Sequence, residues 1–216
     1  MFYGTVRAAF RCVALPYFRF RVRGAPRLPA SGPGVVVALH RSWLDPAAVG
    51  GAIPRPVRFL IMDRVYRKRW ARWFYDRMGA IPVPAGGGKG SAPALRAALR
   101  KLRAGELIGV FPEGGVRAEG DPDVVFPGAA LLSVRGRAPI IPVAIRGASA
   151  AWPKGCRVPR PGAVSVEIGS PIAPPDEDSP AATEEMVRTV ARVLREMSER
   201  GPGDGNAPEE AAWTPR

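Results

Sequence analysis

His40 is the only histidine in the 216 residues, and Asp45 follows it five positions later with Pro46 directly behind. It ends a short apolar run, Val35-Val36-Val37-Ala38-Leu39, with the length and β-branched content of a buried strand. Asp is a favoured N-cap and Pro is tolerated in a first helical turn, so Asp45-Pro46 reads as a helix start. His40 and Asp45 then occupy the two ends of one strand-to-helix turn. On a continuous helix a five-residue spacing would part them, because only residues three or four apart share a face. Across a turn, a carboxylate can fold back onto one imidazole nitrogen and leave the other as a base. A plainer reading stays open from these residues alone: Asp45 caps a helix and His40 is a loop residue.

A second carboxylate is placed in the same way. Leu107-Ile108-Gly109-Val110-Phe111 reads as a buried strand, and Pro112-Glu113-Gly114-Gly115 puts Glu113 just beyond its end. Sheets of the α/β class gather their sites at the carboxyl ends of strands, which gives this turn a weight its sequence lacks alone. Other chemistries fit poorly. There is no Gly-x-Ser-x-Gly elbow, and neither Cys12 nor Cys156 has a histidine near it in sequence, so no covalent intermediate on a serine or cysteine is expected. Two cysteines and one histidine also exclude a disulfide framework and make a zinc site untenable.

The elements that must position these residues can be read along the chain. Residues 1–20 mix aromatic and aliphatic side chains with spaced arginines, which fits an interfacial helix with its arginines at the headgroups, or a helix packed on the domain's own core. Gly24 to Gly34 is a Pro/Gly-rich linker. Val57–Met62 is a strand, and Asp63–Gly79 a helix in which Tyr66, Trp70, Trp73 and Phe74 alternate with basic residues. That helix suits a membrane surface best; an aromatic core face and a nucleic-acid patch are its alternatives. Ala80–Val83 is a short strand leading into Gly86-Gly87-Gly88-Lys89-Gly90-Ser91, which lacks P-loop spacing. With Lys89 it could hold a phosphate at the start of the next helix, or serve only as a surface loop.

A helix follows from Ser91, another around Ala129–Val134, and Ala138–Gly147 is a buried strand with Pro142 inside it, expected at an edge, a bulge or the strand's start. Ala163–Ile168 alternates like a half-exposed strand. The last helix opens at Ser179-Pro180 with Met186, Val190, Leu194 and Met197 on its apolar stripe. The alternation predicts an α/β fold: a mixed central sheet flanked by helices, with an N-terminal amphipathic helical segment. The expected division is 1–23 interfacial segment, 24–200 catalytic domain and 201–216 disordered tail.

The net charge of +13 favours polyanionic partners: an anionic membrane surface, phosphorylated substrates or nucleic acid. No nucleic-acid-binding signature accompanies it, and nucleic acid is not expected as a partner. No apolar run approaches the length of a spanning helix, and Cys12–Phe18 does not make a convincing secretory signal. The expectation is a protein lying peripherally or monotopically on the cytoplasmic face of the cell membrane.

Together these segments resemble the glycerophospholipid acyltransferase family, whose best-known members are lysophosphatidic acid acyltransferases. The likeness runs from about Val22 to Ile172. It rests on His40-Arg41-Ser42-Trp43-Leu44-Asp45, on Phe111-Pro112-Glu113-Gly114 and on Ile140-Ile141-Pro142-Val143, in this order and spacing. The resemblance implies that His40, oriented by Asp45, removes the proton from a glycerol hydroxyl that attacks the thioester of acyl-coenzyme A or acyl carrier protein. No bound cofactor is implied. It further implies acceptor contacts from Ser42, Glu113, Gly114, Gly115 and Pro142, and oxyanion donors among backbone amides near the motif turns. The acceptor it implies is a lysophospholipid, 1-acylglycerol-3-phosphate above all.

The departures bear on that acceptor. In Gly79-Ala80-Ile81-Pro82-Val83-Pro84-Ala85, Ala85 replaces the arginine that ends the family pattern, and Gly115-Val116-Arg117 shifts an expected arginine by one place. Lys89 and Arg117 are the candidates to bind phosphate instead. Alternatives are the same fold acylating another lysolipid or lipid-like alcohol, or a non-catalytic basic binding protein.

Overall fold

The computed structural model describes residues 2–84, 88–116 and 127–199. The apolar runs bounded by Gly and Pro become strands: β1 (Arg21–Arg23), β2 (Gly34–Ala38), β3 (Val57–Met62), β4 (Ile81–Val83), β5 (Leu107–Val110), β6 (Ile140–Arg146) and β7 (Ser165–Ile168). They form one sheet in the order β1-β7-β6-β2-β5-β3-β4. Pairing is parallel from β6 through β4, whereas β7 runs antiparallel to β6 and carries β1 parallel to itself. The sheet is therefore mixed, as expected. β2 lies at its centre with β6 on one side and β5 on the other, so its carboxyl end is where connections leave in both directions, the usual place for a site.

Side-chain alternation along the strands splits the core into two layers. Val36, Ala38, Leu107, Ile141, Val143 and Ile168 face α1 (Phe2–Phe18), α2 (Asp45–Ala52) and α7 (Ala148–Ala151). Val35, Val37, Ile108, Val110 and Ile140 face α5 (Ala92–Arg103), α6 (Gly128–Gly136) and α8 (Pro180–Glu199). The expected stripe on α8 is buried at Met186, Val190, Leu194 and Met197, and Ser179 Oγ accepts the N–H of Ala182 at its start.

Folding changes or decides among four expectations. The single helix expected over Asp63–Gly79 is two, α3 (Asp63–Tyr66) and α4 (Arg69–Met78), because Lys68 between them takes an extended backbone. Of the two readings of the N-terminal segment, packing on the domain's own core describes α1, which crosses α2, while β1, unforeseen in the sequence, pairs with β7. Arg11 turns into the domain. It is 7% exposed and donates to the Gly51 carbonyl, in a gap so narrow that a methyl at Gly51 would stand 2.5 Å from the Phe10 ring. The residues of α1 that are exposed, Gly4, Thr5, Ala8, Ala9, Cys12, Val13, Pro16 and Tyr17, are all uncharged.

Pro142 is the fourth. It sits in a central strand, and of the three settings expected it takes the bulge. Ile140 pairs with Ile172 and Val143 with Ile168, so Gly169, Ser170 and Pro171 together face Ile141 and Pro142. Gly169 N–H donates to the Pro142 carbonyl at 2.8 Å. The edge of Pro142 that lacks an N–H thus faces the bulge rather than a regular ladder. The tail 201–216 lies outside the described residues.

Candidate active site

The turn from β2 to α2 folds around one carboxylate oxygen. Asp45 Oδ2 accepts the backbone N–H groups of Arg41 and Ser42, each at 2.7 Å, and lies 3.1 Å from His40 Nδ1. Asp45 does not cap α2, as its sequence position predicts; Leu44 holds the N-cap position and Asp45 is the first helical residue. Its side chain turns back into the loop, where two backbone donors and an imidazole offer more than the helix end does. A carboxylate accepting at Nδ1 places the ring proton there and leaves Nε2 as the acceptor. Nε2 makes no hydrogen bond among the described residues. The His40 side chain is 13% exposed and that of Asp45 2%, so the base reaches solvent while its partner does not.

Ser42 closes the turn from within. Its hydroxyl donates to the Trp152 carbonyl at 2.7 Å and accepts the Leu44 N–H at 3.1 Å, and the residue has no exposed surface. The β5 turn joins from the other side. Gly114 N–H donates to the Phe111 carbonyl at 3.1 Å, and Gly114 takes a left-handed φ of 67°, which glycine tolerates. Glu113, 3% exposed, is thereby aimed at β2, where its Oε2 accepts the backbone N–H of His40. The Phe111 ring stacks on the imidazole with centroids 4.3 Å apart.

The structure therefore brings together His40, Asp45, Ser42, Glu113, Gly114 and Gly115 at the ends of β2 and β5. Two expected residues also serve the fold. Ser42 and Glu113 are buried and bonded to the protein itself, so they hold the turn together. The amides of residues 40, 41 and 42 are likewise engaged by Glu113 and Asp45, which removes them from the expected oxyanion donors. Pro142 is buried mid-strand, against Gly169. Arg117 and the Lys89 side chain lie outside what is described. Sequence reasoning passed over the Phe111 ring as a partner of His40 and the Trp152 carbonyl as a partner of Ser42. A cavity of about 280 Å³ opens behind Asp45, between Leu39, Arg41, Val143, Arg146 and Ser198.

An oriented imidazole whose Nε2 carries no hydrogen bond among the described residues, on a strand end of an open α/β sheet, is an arrangement able to act as a general base. The chain belongs to the acyltransferase family, whose model matches residues 19–146. It is 26% identical over 154 residues to 1-acyl-sn-glycerol-3-phosphate acyltransferase of Bacillus subtilis (strain 168), covering 70% of this chain and 73% of that one. It is 23% identical to a chloroplastic 1-acyl-sn-glycerol-3-phosphate acyltransferase of Arabidopsis thaliana over 73% of this chain, and spans 44% of that longer protein. The fold matches the crystal structure of the 1-acyl-sn-glycerophosphate acyltransferase from Thermotoga maritima with a TM-score of 0.74 and 23% identity, over 92% of this chain and 80% of that one.

Proposed function

We propose that this protein is a 1-acyl-sn-glycerol-3-phosphate acyltransferase of phospholipid biosynthesis. The observation that carries the reading is the His40–Asp45 pair, locked by its own turn in a family whose relatives bear that name. Nε2 of His40 takes the proton of the acceptor hydroxyl as its oxygen attacks the thioester carbonyl. The tetrahedral intermediate then expels the thiolate, which receives the proton back from the imidazolium. Asp45 keeps the other ring proton on Nδ1 and stabilises the cation that forms in between. A positioned base of this kind contributes about 10²–10⁴-fold. Acyl-coenzyme A or acyl carrier protein serves as donor.

The deciding experiment follows thiol release from both donors with lysophosphatidic acid, other lysolipids and simple alcohols, for wild type and His40→Ala. Lysophosphatidic acid is expected to be the best acceptor and His40→Ala to be inactive. Activity surviving in that variant sinks the assignment of the base. Preference for an acceptor without phosphate favours the second reading, another lipid alcohol, which Ala85 in place of the family's arginine supports.

We further propose that the enzyme works peripherally on an anionic membrane surface at the cytoplasmic face. The charge of +13, the uncharged exposed residues of α1, and Trp43 and Trp73, 49% and 58% exposed, support this. No helix among the described residues is long and apolar enough to cross a membrane. Binding to anionic vesicles, weakened by salt, is expected; equal binding to neutral vesicles at all salt concentrations would contradict the electrostatic part.

A further inference from the structure

The imidazole is tethered covalently at Cγ and hydrogen-bonded to Asp45 at Nδ1, and the tolerance of that bond still lets χ1 and χ2 shift together and tilt the ring. An aromatic ring lies against the face toward which it would tilt. Phe111 packs on the face of His40 with an interplanar angle of 26°, and Phe59 lies nearly parallel to Phe111, 7° apart with centroids at 5.7 Å. Phe59 in turn depends on an absence. It pairs in register with Gly109 of β5, where a methyl group would stand 2.4 Å from Phe59 Cδ1 and 2.8 Å from Val57 Cγ1. Real side chains do not approach that closely, so the Phe59 ring occupies the place a side chain at 109 would need.

We infer that Phe59, seated on Gly109, is a positioning residue that sets the plane of His40 through Phe111 and so aims Nε2. Its effect on turnover rests on the reading of His40 as the base. A glycine inside a strand often marks a close approach of another group, and Gly109 does so here. In the folded sheet it decides how close to the strand the ring stack begins. Raising Phe59 lifts Phe111 and tilts the imidazole, while Asp45 keeps its bond. A misplacement on the order of 1 Å can cost as much as about 10²-fold in rate.

His40 being the only histidine makes the test direct, since the protein gives one set of imidazole proton signals, moved upfield by the Phe111 ring current. Gly109→Ala and Phe59→Leu are compared with Gly34→Ala. A methyl at Gly34 would stand 2.8 Å from Ile141 Cδ1 and 2.9 Å from Leu107 Cδ2, similar crowding at the opposite end of the sheet. The two test variants are expected to lower kcat about tenfold or more with KM unchanged, and to move the His40 signals. Gly34→Ala should keep wild-type kcat and wild-type signals. Unmoved His40 signals in folded Phe59→Leu and Gly109→Ala, or an undiminished kcat, overturn the inference. A wild-type protein that consumes no thioester overturns the acyl-transfer reading instead, and the signals alone then decide the positioning.

Discussion

The side chain of Glu113 accepts the backbone N–H of His40, joining two turns that lie 73 residues apart in the chain. Strand β2 brings His40 and β5 brings its anchor, and adjacency in the parallel sheet lets the two turns meet. Glu113→Ala strands that N–H in a poorly solvated place, at a cost of about 1–3 kcal/mol, and loosens the base. Glu113→Gln keeps an acceptor oxygen of the same length. The expected order of kcat is wild type above Gln above Ala, with Tm following. A change confined to the acceptor's KM would return Glu113 to a substrate-binding role.

Asp45→Asn keeps size and an oxygen but loses the charge that stabilises the imidazolium. A fall in kcat of about 10²–10⁴-fold is expected, with little change in KM. Steady-state kinetics on protein whose circular dichroism matches wild type checks this, and a kcat near wild type would leave Asp45 with a structural role alone.

Ser42→Ala should act on stability first. The hydroxyl serves the Trp152 carbonyl and the Leu44 N–H at once, and both are left without it. Losing about 2 kcal/mol in a chain of this size lowers Tm by roughly 4–8 °C. Thermal unfolding by calorimetry measures it; an unchanged Tm would mean that the turn does not need the hydroxyl.

Lys89→Ala and Arg117→Ala address the acceptor's phosphate, for which the family's arginine is replaced by Ala85. Each is expected to raise the KM for lysophosphatidic acid about tenfold, with kcat preserved. Unchanged KM in both variants would end their candidacy.

Glu106 gives a dependence on pH. Partial burial raises its carboxyl, but Arg58 and Lys101 more than offset this and hold it below its ordinary value of 4.5. A pKa depressed on folding means that the unfolded chain takes up the proton first as acid is added. The stability from this group is therefore present above the ordinary carboxylate range and lost as pH falls through the lower folded value. The Tm gap between wild type and Glu106→Gln should be widest near neutrality and shrink as acid is added below the ordinary carboxylate range. A gap that stays constant down to pH 3 would contradict it.

Local pattern determined much of this protein. Val35–Leu39, Val57–Met62 and Leu107–Phe111 are apolar and β-branched enough to be strands in any α/β setting, and Ser179-Pro180 announces α8. The His40–Asp45 pair was legible for the same reason: a five-residue turn is a local object, closed by its own backbone amides. What the tertiary structure decided is everything that depends on which strands are neighbours. Sequence distance carries no information about sheet order, so the Glu113 bond to His40, the Trp152 carbonyl on Ser42 and the opposition of Phe59 to Gly109 appear only once β2, β5, β3 and β6 are side by side. Burial decided the rest. The arginines of residues 1–20 fit headgroups or a packed helix equally well until α1 crosses α2 and Arg11 donates to the Gly51 carbonyl. Asp45 reads as a cap until two amides and an imidazole compete for its oxygen and win.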